Sequence, residues 1–269
     1  MAADSLLAEP VHQVVHSTFK ATQLINTPTV ETPARKTLQF LIMHRFGKIS
    51  DGSYALWGLD NADIRFGLDY GLTDRLSIGV GRSSVDKTYD ASAKIKLLRQ
   101  TTGQIPVSIN FYELVTYTTF PPQDEKPYLS ATDRTTYTSQ LLIARKFSSR
   151  LSLQLTPTFI HFNLVPDARD RNNLFDLGIG GRFKITKRMS VVSEYNLLPA
   201  GQTLSYKSYN SLSAGIDIET GGHVFQFVFS NSRGMVGPQY ISGTAGRWQD
   251  GDIYFGFNIS RVFNFNRKR

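Results

Sequence analysis

Residues Ala62–Val85 read ADIRFGLDYGLTDRLSIGVGRSSV, two strands joined by a tight turn. In the first, Ile64, Phe66, Leu68 and Tyr70 alternate with Asp63, Arg65, Gly67 and Asp69. In the second, Leu76, Ile78 and Val80 alternate with Ser77, Gly79 and Gly81. Period-two alternation gives each strand one apolar and one polar face. A soluble sandwich strand does this too, so the content of the faces matters. Here the polar face carries charge and glycine, and the apolar face carries long side chains. A membrane barrel turns the second face to lipid and the first to its lumen.

The same hairpin recurs along the chain. Further strands are expected at residues 37–46, 89–99, 105–118, 135–147, 151–162, 174–185, 189–198, 209–219, 223–230 and 253–265. Strand 37–46 is apolar almost throughout, so its facing is ambiguous. The alternation of 105–118 slips near Glu113, which suggests a bulge, and Pro157 interrupts 151–162 at a place better suited to a rim. Three short turns repeat one pattern: Leu72–Ser77 (LTDRLS), Phe147–Ser152 (FSSRLS) and Ile185–Ser190 (ITKRMS). Short connections near 72–75, 101–104, 148–150, 186–188 and 220–222 alternate with longer ones, the asymmetry of outer-membrane barrels. The chain closes on an aromatic strand, Val262–Phe265. Segments of about 9–11 residues suit a tilted crossing. The expectation is an all-β, antiparallel transmembrane β-barrel of about twelve strands over residues 37–269, with short periplasmic turns and longer extracellular loops. A soluble sandwich, lectin-like roll or propeller is the alternative, disfavoured by mid-strand Asp, Arg and Lys in several separate strands.

Residues 1–36 show no sustained alternation and are interrupted by Pro10, Pro28 and Pro33. They read as a periplasmic extension or a plug folded into the barrel mouth, with a short helix at Ser5–Val15 and a lone strand at Thr18–Ile25. The first residues, Met1–Asp4, have neither the basic nor the apolar region of a secretion signal, so a mature form is expected.

Composition agrees with this class. The chain has 269 residues, no Cys, 12% aromatic residues and a net charge of +8. Its mean hydropathy is −0.22, as weak as expected when half of every strand is polar. No segment approaches the roughly 18–20 apolar residues of a membrane-crossing helix. Lack of Cys removes disulfide scaffolds, thiolate metal sites and c-type haem attachment. The basic residues are scattered, many at strand ends (Arg75, Arg99, Arg150, Arg188), which suits lipid headgroups and lipopolysaccharide better than nucleic acid.

Several segments together resemble an uncharacterised family of Bacteroidetes outer-membrane β-barrel proteins, defined by a domain of unknown function. They are Thr18–Thr22, His44–Gly47, Trp57–Ala62, Tyr70–Arg75, Gly79–Ser83, Lys87–Asp90 and Lys96–Gln100. The likeness is dense over about residues 18–100. It implies the barrel and the outer membrane, and brings no activity and no catalytic residue.

Motifs for chemistry are few. His12 and His16 are four apart, without the intervening Glu of a zinc protease motif. His44, His161 and His223 are isolated. A lipase-type barrel would need Ser, His and an orienting polar group at one level of the wall, and no such set is apparent, so no enzyme, cofactor or metal is expected. The glycine runs Gly79–Gly81 and Gly178–Gly181 do not open helices, and lumen glycines more often make room for a neighbour. By parity, Arg45, Asp63, Arg65, Asp69, Lys94, Lys96, Asp176, Arg182, Lys184, Glu194 and Asp217 point inward, with Asn110, Gln154, Asn196, Gln226, Tyr254 and Asn258. Charges in a low-dielectric interior must pair or be hydrated. They either line a narrow passive channel for small polar or anionic solutes, or lock a closed barrel that serves as a scaffold subunit of a membrane complex. In the second case Tyr54, Trp57, Trp248 and the Pro-rich 120–127 loop (which lies outside the residues described below) are the candidate anchors for protein partners.

Overall fold

The computed structural model describes residues 13–119 and 130–265. Twelve antiparallel strands close into a barrel in chain order. They are β1 (Thr37–Lys48), β2 (Ala62–Gly71), β3 (Leu76–Ser83), β4 (Thr88–Leu98), β5 (Ser108–Thr118), β6 (Thr135–Lys146), β7 (Leu151–Phe162), β8 (Asn173–Lys184), β9 (Met189–Leu197), β10 (Ser211–Thr220), β11 (His223–Ser230) and β12 (Tyr254–Asn264). Closure is made by β1 and β12, in register from Thr37 opposite Asn264 to Arg45 opposite Gly256. One short helix, α1 (Gly237–Ile241), lies in the β11–β12 connection.

The alternation translates directly into burial. On β9, Ser190, Val192, Glu194 and Asn196 are buried, while Met189, Val191, Ser193, Tyr195 and Leu197 are exposed. The outward face of the barrel is a band of Leu, Ile, Val and Phe, the face a membrane barrel offers to lipid. At its edges Arg82 sits over the Tyr89 ring at 5.5 Å, Arg145 over Phe147 at 5.1 Å and Arg261 over Phe263 at 4.9 Å. Such aromatic–cation pairs place the apolar stem in the membrane edge and the charge in the headgroups.

Four expectations need correction. Residues 105–107 and 209–210 lie outside the strands, which begin at Ser108 and Ser211. The β3–β4 connection, 84–87, is as tight as the turn 72–75, and the β4–β5 connection, 99–107, is longer than either, so short and long connections do not alternate strictly. The β4–β5 ladder breaks register between Lys96 and Leu98 and runs unbroken past Glu113, which lies opposite Ala93. The polarity of β5 is inverted there and no bulge exists. Tyr112 and Leu114 face inward because the lumen is apolar at that level, and Glu113 faces outward, accepting the Ser139 hydroxyl at 2.5 Å. Finally, Thr18–Ile25 is one arm of a hairpin and no lone strand: Gln23 bridges Pro28, and Thr29 N–H donates to Thr22 O at 2.9 Å. The helix drawn at Ser5–Val15 falls mostly outside the described residues, and within them Val14 bridges Thr101.

Inside the barrel sits a core. Phe19, Leu24 and Val30 of the hairpin pack with Tyr112, Leu114, Leu142 and Ala144 of the wall and Val236 of the β11–β12 connection. Leu41 and Met43 pack with Val85 and Met235, which is why β1 reads as apolar on both faces. Ile160 and Leu174 receive Tyr240 and Ile241.

Candidate functional site

The site is the lumen. Its wall is polar because every second residue of each strand faces it, and six of those groups, Lys94, Asn110, Gln154, Glu194, Gln226 and Asn258, bind the backbone of the N-terminal hairpin. The tip of the hairpin, Leu24–Thr27, closes with Leu24 N–H donating to Thr27 O at 2.8 Å. Against that tip lies the Glu194 carboxylate. It accepts the N–H groups of Ile25 at 3.2 Å, Asn26 at 2.9 Å and Thr27 at 2.9 Å. Three successive amides aimed at one carboxylate form an anion-binding nest, with the anion supplied by the wall.

The opposite wall supplies donors. Arg45, with 0% exposure, donates to Asn26 Oδ1 at 2.9 Å and to Asn258 Oδ1 at 2.9 Å. Lys94 donates to Thr29 O at 2.8 Å and Glu31 O at 3.0 Å, and lies 5.6 Å from the Tyr112 ring centre. The amides of Asn110, Gln154, Gln226 and Asn258 donate to Val30 O, Pro28 O, Leu24 O and Ile25 O at 2.6–2.9 Å. Wall donors of five strands thus meet hairpin carbonyls, which supplies partners that buried backbone groups require.

Other inward charges pair within the wall. Arg65 holds Asp90 through both carboxylate oxygens, at 2.9 and 2.6 Å. Arg182 bonds Glu219 and lies 3.9 Å from Asp217, which also accepts Gln226 at 2.9 Å. Asp90 and Glu219 were not singled out from sequence, although Asp90 shares the parity of Lys94 and Glu219 that of Asp217. Glycines make the space: a Cβ on Gly81 would strike Arg65 and Asp90, and one on Gly79 would strike Asp69. Asp63 accepts Ser84 Oγ at 2.9 Å toward the loop end. Lys96 lines the short-turn mouth beside Glu31 and Arg99, and Lys184 is half-buried at the same end. Asp176 stands apart. It is 5% exposed, and among the described residues neither carboxylate oxygen has a hydrogen-bond partner.

The hairpin does not fill the lumen alone. From the loop end, residues 235–241 descend until Val236, Gly237 and Tyr240 meet Gln23, Asn26 and Pro28, leaving between them a void of about 10 Å³. That is at the limit of one water molecule. Hairpin and cap together occlude the barrel.

Away from the lumen, Tyr54 is 99% exposed and Trp57 56%, both on the β1–β2 connection. Trp248 is committed to the barrel instead, donating its indole N–H to Leu212 O at 2.9 Å. The outward histidines meet no serine among the described hydrogen bonds: His44 stacks on Phe257, His161 bonds Asn173 Oδ1 at 2.7 Å and His223 stacks on Phe225. His16 offers its carbonyl to Lys146 at 2.9 Å, and His12 lies outside the described residues.

Comparison with known proteins places this architecture. A family model described as a membrane-bound beta barrel domain of unknown function (DUF5777) matches residues 19–263, hairpin included. Among solved structures, the NanC porin is similar at a TM-score of 0.52 and 8% identity, covering 84% of this chain and 98% of its own. An outer membrane channel from Pseudomonas putida F1 matches at a TM-score of 0.52 and 11% identity, covering 87% and 97%. The KdgM porin matches at 0.50 and 9%, covering 86% and 99%. No curated protein matches by sequence.

Proposed function

Because the chain belongs to the membrane-bound beta barrel family of the outer membrane, we propose that it is a passive channel for small polar solutes, anions among them, held shut at rest by its own N-terminal hairpin. One observation carries this. Wall groups from several strands converge on the hairpin: Glu194, Lys94, Gln154 and Asn110 bind its backbone and Arg45 binds the Asn26 side chain, all within residues 25–31. A barrel closed for good has no need of a separate polar insert. Withdrawal of residues 18–30 would leave a hydrated, charged lumen rather than a collapsed one, because unpaired charge there must take up water. Arg45, Lys94 and Lys96 would then face Asp69, Asp176 and Glu194 at different depths, setting ion preference as charged rings do.

The runner-up is a non-conducting scaffold. The full exposure of Tyr54 and the half-exposure of Trp57 favour it, as rigid aromatic anchors on a loop suit a protein partner.

Planar-bilayer conductance across a salt gradient tests the channel. The wild-type protein is expected to be silent. A variant with residues 18–30 replaced by a Gly/Ser linker is expected to give discrete current steps with an anion-side reversal potential. Silence of both, with insertion shown separately, would overturn the channel and leave the scaffold. Equal conductance of both would overturn the closure.

A further inference from the structure

We propose that the loop end of the barrel carries a binding cleft for a small neutral polyhydroxylated molecule, of the size and chemistry of a mono- or disaccharide. The cleft encloses about 370 Å³, within the roughly 300–1,000 Å³ of small-molecule sites. The inference concerns the outer mouth alone and stands whether or not the barrel conducts.

The wall of the cleft is a patch of threonines placed by strand register. Thr88 faces Thr118 across β4 and β5, and Thr116 faces Thr136 across β5 and β6. All four line the cleft. Their inward facing follows from the same parity that buries Asp90, Asn110 and Thr138 lower in the barrel. Thr88 accepts the Gln239 amide at 3.2 Å and Thr116 donates weakly to Thr136 O at 3.4 Å. Among the described residues the Thr118 and Thr136 hydroxyls have no such bond, so both a donor and an acceptor remain at each. Sugar hydroxyls need donor–acceptor groups at short spacing: the facing threonines of each pair stand about 4.5–5.5 Å apart, and Thr118 and Thr136, diagonal across β5 and β6, about 7–8 Å, so the two free hydroxyls suit separate hydroxyl groups of one sugar.

The lining continues as aromatic and apolar. Phe162, at the end of β7 and paired with Thr136 across β6 and β7, and Tyr206, on the β9–β10 connection, both line the cleft. Aromatic rings beside a hydroxyl wall suit a molecule with an apolar C–H face and a polar edge. Charge does not dominate. Asp170, at the rim, is consumed by Leu204 N–H at 2.6 Å, Ser205 N–H at 2.8 Å and the Ser205 hydroxyl. Arg171 and Asp86, the other charged lining residues, are exposed and opposite in sign. A free anion or cation would meet both.

The floor connects the cleft to the occluded lumen. Pro238 and Gln239 of α1 form it, while Gly237 and Tyr240 of the same helix face the tip of the hairpin. An occupant of the cleft would therefore rest on the element that caps the plug.

Isothermal titration of the detergent-purified, folded barrel with glucose and with maltose tests the site, with glutamate as the charged probe. Saturable binding of at least one sugar is expected, weakened tenfold or more by Thr118→Val and by Thr136→Val. These substitutions keep the β-branched shape and remove only the hydroxyl. Folding of each variant is checked by heat-modifiable gel mobility, and Ser193→Ala on the outer wall serves as the control that leaves binding unchanged. Absence of saturable binding for both sugars would overturn the proposal. So would sugar binding that neither threonine variant alters, or binding of glutamate alone.

Discussion

Glu194 Oε1 accepts the backbone N–H of Asn26 at 2.9 Å, joining β9 to the hairpin tip across 168 positions of sequence. With Ile25 and Thr27 the same carboxylate takes three amides. Hydrogen bonds to a charged acceptor contribute about 1.5–3 kcal/mol, against about 0.5–1.5 kcal/mol for neutral ones. Glu194→Gln keeps the shape, removes the charge and turns one acceptor into a donor facing N–H groups. The amides of residues 22–29 are expected to exchange hydrogen at least tenfold faster while the strands keep their protection. Unchanged exchange over 22–29 would sink the assignment of Glu194 as the latch.

Arg65 and Asp90 form a nearly buried pair, with side-chain exposures of 10% and 1%. Removing one partner of such a pair costs about 3–5 kcal/mol, whereas replacing both by apolar groups costs far less. Asp90→Asn is expected to be strongly destabilising in urea unfolding from detergent. The double variant Arg65→Met, Asp90→Leu is expected to recover most of that loss. Equal destabilisation by the single and double variants would contradict the pairing.

Asp176 has the opposite forecast. Among the described residues its buried carboxylate has no hydrogen-bond partner, and an unsatisfied charged group carries a desolvation penalty of at least about 1–3 kcal/mol. Asp176→Asn removes the charge with little change in volume and is expected to raise the melting temperature. Asp217→Asn is the contrast. Asp217 accepts Gln226 and faces Arg182, so its neutralisation is expected to lower stability. A fall in melting temperature for Asp176→Asn would show a partner that the geometry does not contain.

The extracellular loops carry a pH-dependent tie. The Ser205 hydroxyl and then the Ser205 N–H hold the Asp170 carboxyl below its usual range, against the upward push of burial, and the Leu204 N–H adds to them. A carboxylate whose pKa is depressed on folding contributes stability that is present above the unfolded value, about 3.9, and is lost as pH falls through the lower folded value. The β7–β8 and β9–β10 connections are therefore expected to stay docked at pH 5–8 and to separate below about pH 4. Limited proteolysis with pepsin at pH 2–3.5 reads this. Cleavage within 198–210 is expected to rise as pH falls, and Asp170→Ala is expected to remove that dependence.

Much of this molecule follows from local pattern. Alternation such as Phe66, Leu68 and Tyr70 against Arg65, Gly67 and Asp69 determines that a strand has one apolar and one polar face, and tight turns such as Leu72–Ser77 mark successive hairpins, while closure is the pairing of β1 with β12, far apart in the chain. What fills the lumen is decided only in three dimensions. Glu194 and Arg45 announce inward charge, but their partners are backbone N–H groups and an amide of residues 25–27, and backbone groups have no sequence signature. For the same reason Leu41, Met43, Tyr112 and Leu114 look misplaced until Met235, Phe19 and Val236 are seen against them. Period two reports which side of a strand a residue takes. It cannot report that the inner side is wet at one level and packed with a hairpin and a cap at another, because that depends on segments far away in the chain.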